Sequence, residues 1–295
     1  MEQQSTFKKL VVFDVNLDWN CYKQEDRRYK DLPLVYDLMS RASQYQTIVI
    51  QTSGCLIDAL DFATVHHLEK GYIVASGGAI IYDLEQRKII DIHTLDGDDI
   101  RTIVHHGLMN GINITIYTPD RKFIYLANDV SYSAIKGLCY SQHEIIDSYD
   151  LLQQTMSRTD IVDVGFYHFL GTVDNMKQSH LLFNLDKYWE GEICNVIVKT
   201  NKTSKYAHVG DKQSTKLQAI HKIMGIVGID HITDVLYIAA SCVNNECYIT
   251  FKNSLITSNQ DYLNEIGNKK QHKYLAQEFN NLDPEFGLKS NSFWK

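Results

Sequence analysis

Short apolar runs alternate with amphipathic helical segments over the first 70 residues, and this alternation is the strongest constraint on the fold. The runs "KKLVVFDV" and "QTIVIQTSG" are typical of strands that are buried on both faces of a sheet. The segments "DLPLVYDLMSRASQ" and "CLIDALDFATVHHLEK" carry apolar residues at helical spacing. Strand, helix, strand and helix in this order predict an α/β fold with a doubly wound, Rossmann-like parallel sheet.

A different pattern begins near residue 91. The helix "GDDIRTIVHHGLMN", a hairpin around "TPDRK" and the strands "DIVDVGFYHF" and "CNVIVKT" are typical of an α+β unit. The helix "STKLQAIHKIMG" and the buried strand "DVLYIAAS" then resume the α/β pattern. We therefore predict a core domain formed by residues 1–90 and 206–295, with an α+β cap inserted at 91–205.

Composition excludes several classes of protein. A net charge of -7 without a basic cluster disfavours nucleic-acid binding, which requires clustered lysine and arginine. No run of about 18 apolar residues predicts a membrane span, and the N-terminal residues lack the pattern of a secretory signal. The six cysteines include no C-x-x-C pair, which favours reduced thiols. We predict a cytoplasmic protein with neither a nucleic-acid nor a membrane partner.

Residues with useful chemistry follow the predicted strands. Asp14 ends the first strand, Thr52 and Ser53 follow the second, and Ser241 follows the strand "DVLYIAAS". Lys216 begins the helix that precedes that last strand, with Ser214 or Thr215 as the N-cap. In an open parallel sheet, ligands bind outside the carboxyl ends of the strands. We therefore expect these residues to converge on one site.

With these motifs the chain resembles the haloacid dehalogenase (HAD) superfamily, in the large-cap, Cof-like branch that includes sugar-phosphate and sucrose phosphatases. In that family the first strand ends in D-x-D, where the first Asp attacks phosphorus and the second acts as general acid and base. Asp14 matches the first, and Asn16 occupies the second. The resemblance assigns the phosphate-binding hydroxyl to Thr52, and the lysine that neutralises nucleophile and phosphate to Lys216, with Lys212 as an alternative.

The same resemblance predicts further contacts with the substrate and with magnesium. Ser53, Gly54 and Lys212 are expected to line the substrate site. The fourth family motif, G-D-x-x-N-D, aligns with "ASCVNN", so Ser241 and Asn245 stand where acids are usual. The resemblance thereby implies four positions around the metal, Asp14, Asn16, Ser241 and Asn245.

These departures weaken the magnesium site that the resemblance implies. Mg²⁺ is held by carboxylate and carbonyl oxygens and neutralises charge during phosphoryl transfer. With neutral side chains at Asn16, Ser241 and Asn245, Asp14 is the one certain acidic ligand, although Asp18 and Glu246 lie near enough in sequence to substitute. Asn16 also cannot donate a proton as a carboxylic acid does, which removes general acid catalysis worth about 10²–10⁴ in rate.

Two functional hypotheses follow. The first is a weak or inactive phosphatase relative that still binds a small phosphorylated metabolite, an inorganic anion or a protein partner. The alternative is an active Mg²⁺-dependent phosphatase of a small phosphorylated metabolite with a rearranged metal site. A further departure from the family pattern bears on both hypotheses. The family places a helix after the fourth motif, and we predict that this helix is missing from "NECYITFKNSLITSNQDYLNEI".

Overall fold

The structure is a computed structural model that describes residues 9–15, 32–126, 143–169, 194–200, 204–239 and 246–256. Within these ranges the chain forms a seven-stranded sheet and a six-stranded sheet. No helix among the described residues has the length and apolar character needed to cross a membrane.

The seven-stranded sheet has the order β13-β12-β1-β2-β3-β4-β5. Its first five strands in this order are parallel, and β4 and β5 add an antiparallel hairpin at one edge. The strands are β1 (Leu10–Asp14), β2 (Thr47–Gln51), β3 (Tyr72–Ala75), β4 (Ile80–Asp83), β5 (Lys88–Ile92), β12 (Val235–Ala239) and β13 (Asn253–Ile256).

Helices cover both faces of this sheet, and both faces of β1 are accordingly apolar. Val11 and Phe13 pack with the helices that follow β1 and β2, whereas Leu10 and Val12 pack against the helix that precedes β12. Continuous apolar strands are expected where a parallel sheet is buried on both faces. The helices of this domain are α1 (Leu32–Tyr45), α2 (Leu56–Val65), α5 (Lys216–Val227) and α6 (Glu246–Thr250).

The six-stranded sheet has the order β10-β11-β9-β6-β7-β8 and is antiparallel except for the β7–β8 pair. Its two helices pack on one face around a separate apolar core. The elements are α3 (Gly97–Met109), β6 (Asn113–Tyr117), β7 (Lys122–Tyr125), β8 (Glu144–Ile146), α4 (Tyr149–Met156), β9 (Asp163–Phe169), β10 (Cys194–Thr200) and β11 (Ser204–Asp211).

The structure confirms the predicted α/β fold and corrects two details. The boundaries predicted at 90/91 and 205/206 lie inside β5 and β11, which belong as wholes to the seven-stranded and the six-stranded sheet, respectively. The prediction that a helix is missing after Asn245 was wrong, because α6 occupies that place, although it is only five residues long. Glu246 begins this helix, and β13 follows within three residues.

The two sheet domains meet at a buried junction that combines apolar and charged contacts. Tyr117 and Val162 come from the domain of the six-stranded sheet, the second domain, and belong to the same apolar cluster as residues of α1 and α2. Lys122 on β7 places its Nζ 3.6 Å from Oδ2 of Asp58 on α2, and both side chains are at most 1% exposed. The Lys122 ammonium also lies 5.3 Å from the centre of the Tyr117 ring. A charge from the second domain is thus neutralised inside the first.

This ion pair provides a test of the junction. We expect Lys122→Met to lower the free energy of unfolding by about 3–5 kcal/mol, because it leaves the Asp58 charge buried without its cation. The double variant Lys122→Met/Asp58→Leu should recover most of the loss, since it removes both charges. Chemical denaturation of the three proteins measures these differences.

A matched control is the exposed pair of Lys70 and Glu85, whose N–O separation of 3.7 Å is nearly the same. Because both of its side chains are open to solvent, Lys70→Met should change stability little. Equal effects of Lys70→Met and Lys122→Met would contradict a role for the buried pair in holding the domains together.

Candidate active site

The site lies at the carboxyl edge of the parallel sheet and centres on Asp14, the last residue of β1. The Nζ of Lys216 lies 2.7 Å from Oδ1 of Asp14, although 202 residues separate the two. Both side chains are largely buried, with exposures of 14% for the lysine and 11% for the aspartate. The structure therefore brings together the predicted nucleophile position and the predicted lysine as a direct, charge-assisted hydrogen bond.

The start of α5 holds Lys216 in place. Thr215 is the N-cap of this helix, and its side chain and that of Gln218 form a reciprocal capping box. Gly78, in the turn after β3, packs directly on the backbone of Thr215 and Lys216. It has a φ of 115°, and a Cβ there would lie 2.4 Å from the Thr215 carbonyl. A glycine is therefore required for the helix to begin at this position.

The loop after β2 is tied to the same turn. The Thr52 hydroxyl accepts a hydrogen bond from the Gly54 amide at 3.0 Å, and the Gly54 carbonyl accepts one from the Ser76 amide at 2.7 Å. The Gly77 amide donates to the Thr52 carbonyl at 3.3 Å. Because Thr52 uses its oxygen as an acceptor, its proton can still be donated to a ligand. Thr52 and Ser53 are both fully buried at this edge.

Two residues that the sequence analysis missed also belong to the site. Tyr237 on β12 donates its hydroxyl proton to Oδ2 of Asp14 at 2.8 Å. Gln51, the last residue of β2, donates from Nε2 to the Tyr237 oxygen at 3.2 Å. Gln51 is visible in the sequence as a polar residue that ends the apolar run "TIVIQ", whereas Tyr237 lies in the middle of "VLYIA" and its role depends on which strands are neighbours.

Lys212 and Glu246 take places other than those considered from sequence. Lys212 is exposed and lies near Asp99, where its charge opposes the rise in the pKa of that carboxyl caused by burial and by neighbouring acids. Glu246 accepts a hydrogen bond from the Leu217 amide at 3.2 Å, so its carboxylate sits on the N-terminus of α5. Lys216, and not Lys212, makes the contact with Asp14.

Cys247 lies beside the Asp14 network without taking part as a reactive group. Its Sγ is 3.9 Å from Gln51 Nε2. Burial raises the pKa of this thiol to about 12, and the negative charge of Asp14 adds to the shift. Because the thiolate is the nucleophilic form, Cys247 is an inert packing residue at neutral pH.

The family follows from comparison with known proteins. A family model described as haloacid dehalogenase-like hydrolase matches residues 39–236. This match covers more than half of the chain, which therefore belongs to that family. The comparison with curated proteins found none that matches.

Solved structures share the fold at low sequence identity. A haloacid dehalogenase-like hydrolase from Bacteroides thetaiotaomicron is 14% identical with a TM-score of 0.62, over 86% of this chain and 90% of that one. A sugar phosphatase of HAD subclass IIB is 10% identical with a TM-score of 0.63, over 96% and 100%. A HAD phosphatase from Bacteroides thetaiotaomicron is 11% identical with a TM-score of 0.61, over 98% of each chain. These identities establish a common fold and no more.

Members of this family generally use Mg²⁺, an ion that requires several oxygen ligands, among them carboxylates. Of the predicted metal positions, Asn16, Ser241 and Asn245 lie outside the described residues, and Asp14 lies within them. Asp14 accepts a hydrogen bond from a donor of the chain on each carboxylate oxygen. Among the described side chains, no three His, Cys, Asp or Glu groups are placed to share a metal ion. Asp14 is therefore the one predicted metal position whose surroundings the structure describes.

The close packing of Gly78 on α5 gives a prediction about how Lys216 is held. We expect Gly78→Ala to lower the free energy of unfolding by at least about 1 kcal/mol, because the methyl group meets backbone atoms and the positive φ is strained. It should also displace the start of α5, which a crystal structure of the variant would show as a longer distance between Lys216 Nζ and Asp14 Oδ1.

Gly225 is the matched control, since it lies in the same helix with no atom within 4 Å of a Cβ added there. Gly225→Ala should stabilise the protein by about 0.4–1 kcal/mol, because alanine loses less backbone entropy in a helix. A Gly78→Ala variant as stable as Gly225→Ala would show that the turn does not fix the helix start.

Proposed function

We propose that this protein is a relative of the sugar phosphatases with a degraded magnesium site and weak or absent hydrolase activity, which retains the binding of a small phosphorylated metabolite or an inorganic anion. We place it in the cytoplasm, with no nucleic-acid or membrane partner. A protein partner is a further ligand consistent with this proposal.

The observation that carries the proposal is the hydrogen bonding of Asp14. A nucleophilic carboxylate in this family needs a free lone pair for attack and a cation to neutralise the phosphoryl oxygens. Here Lys216 donates to one oxygen at 2.7 Å and Tyr237 donates to the other at 2.8 Å. Hydrogen bonds from two donors withdraw charge from the carboxylate, and this lowers its nucleophilicity.

The residue types at the other motif positions support the same proposal. Asn16 replaces the acid that would protonate the leaving oxygen, and Ser241 and Asn245 replace carboxylates of the metal motif. Neutral oxygens coordinate Mg²⁺ without compensating its charge, so affinity falls. Both chemical supports of the nucleophile are thus weakened in one chain.

Anion binding is supported by the donors that remain. The Lys216 ammonium has three N–H donors, so it can hold Asp14 and a phosphate oxygen at the same time. The Thr52 hydroxyl retains its proton for a ligand. The Leu217 amide at the start of α5 already donates to Glu246, so the Lys216 side chain, and not this amide, is the principal anion contact.

We expect turnover near background when sugar phosphates are screened for phosphate release with and without Mg²⁺. Asn16→Asp alone should leave turnover near background, because restoring one member of a set of catalytic groups that act together recovers little activity. The triple variant Asn16→Asp/Ser241→Asp/Asn245→Asp should raise turnover, since general acid catalysis alone is worth about 10²–10⁴.

Asp14→Asn, in the native and triple-variant backgrounds, is the control for hydrolysis at this site. Robust Mg²⁺-dependent turnover by the unaltered protein, abolished by Asp14→Asn, would overturn the proposal. It would favour the alternative, an active phosphatase with a rearranged metal site, and would make Asp18 and Glu246 the first acids to replace.

A second experiment tests binding. Calorimetric titration with inorganic phosphate should give the same affinity in chelator and in Mg²⁺, because the donors belong to the chain. Lys216→Met should abolish binding, whereas Lys212→Met, which removes an exposed ammonium, should leave it within about twofold. Binding only in the presence of Mg²⁺ would contradict the metal-independent site.

A further inference from the structure

The register of the parallel strands brings three polar side chains to one face of the sheet. Asp14 on β1 is paired with Gln51 on β2 and with Ala239 on β12. Tyr237 precedes Ala239 by two positions, so its side chain lies on the same face as Asp14, one strand away. Gln51 and Tyr237 thus flank Asp14 from opposite sides, on the face that α5 covers.

The direction of each hydrogen bond follows from the chemistry of these groups. An ionised carboxylate only accepts, so the tyrosine hydroxyl must donate its single proton to Asp14. The hydroxyl oxygen can then only accept from Gln51, which orients the amide with Nε2 toward Tyr237. The Gln51 Oε1 is left buried without a hydrogen-bond partner among the described residues. The amide therefore acts as a donor through Nε2, to the Tyr237 oxygen and to the Cys247 Sγ 3.9 Å away.

The hydroxyl is not needed for packing. The Tyr237 ring stacks on Phe251 with the ring centres 5.8 Å apart, and the surrounding side chains form the apolar core on this face. A phenylalanine would make the same ring contacts. A fully buried hydroxyl is unfavourable unless it is hydrogen-bonded, and here its proton goes to Asp14.

We propose that Tyr237, oriented by Gln51, is a positioning residue that fixes the Asp14 carboxylate through the oxygen opposite Lys216. The pair sets the rotation of the carboxylate with donors of the chain itself, without a divalent cation. This inference rests on the proposed function, since it describes how Asp14 is held in a site whose metal-binding acids have been replaced.

Carbon-13 NMR of aspartate-labelled full-length protein tests the contact directly. Asp14→Asn assigns the Asp14 Cγ resonance by its disappearance. In chelator, Tyr237→Phe should shift this resonance, because the carboxylate loses a donor while the ring remains. Gln51→Met should shift it in the same direction but less, since the hydroxyl stays and only its polarisation weakens.

Tyr82→Phe is the matched control, because it deletes a tyrosine hydroxyl from β4 of the same sheet, outside the Asp14 network. It should leave the Asp14 resonance unmoved. An unmoved resonance in Tyr237→Phe, with the protein folded as judged by its other aspartate resonances, would overturn the positioning role while leaving the proposed function intact.

A magnesium titration of the native protein distinguishes a failure of the positioning role of Tyr237 from a failure of the proposed function. We expect the Asp14 resonance not to respond to Mg²⁺ in the native protein. A shift of the Asp14 resonance at low Mg²⁺ concentration would show that the proposed function is wrong about the metal site. If Tyr237→Phe still shifts the resonance in the presence of a chelator, the hydrogen bond from Tyr237 holds for the metal-free protein alone. If neither change moves the resonance, the positioning role fails.

Discussion

The burial of one negative charge at the end of β1 organises the whole site. An ionised carboxylate removed from water is costly unless it is paired and hydrogen-bonded. Asp14 is such a carboxylate, because its strand lies between β2 and β12 and its side chain is only 11% exposed. The ammonium from α5 and the hydroxyl from β12 meet this requirement from different elements, so the helix and two strands must be correctly placed together for the charge to be tolerated.

The two buried lysine–aspartate pairs differ in what they demand of the chain. Lys216 and Asp14 are within hydrogen-bond distance at 2.7 Å, which fixes orientation as well as charge. Lys122 and Asp58, at 3.6 Å, are farther apart than a good hydrogen bond, so their attraction is mainly one of charge. The first pair therefore specifies a site, and the second acts on the association of the domains.

Chain order and apolar periodicity were sufficient to predict the parallel sheet and the proximity of Asp14 and Lys216, because both follow from strands that share a carboxyl edge. They were insufficient for Tyr237, which in sequence is one more aromatic residue in a buried strand. Its role depends on strand register, which no local pattern contains. Glu246 was ambiguous for a similar reason, since a carboxylate near the fourth motif can bind a metal or cap a helix, and only the position of α5 decides between them.

The charges around Asp14 affect the binding of an anionic ligand and the binding of a metal cation in opposite ways. Within the pair that the structure describes, the Asp14 carboxylate and the Lys216 ammonium sum to zero charge, and the Tyr237 hydroxyl adds a donor without adding charge. A divalent cation brought to Asp14 would be repelled by the Lys216 ammonium, which already compensates that carboxylate, whereas a site with several acids offers a negative cavity. An anion meets the opposite condition, because Lys216 keeps N–H donors after binding Asp14. This difference is the physical reason for proposing a ligand that brings its own negative charge instead of a cation that needs the chain to supply it.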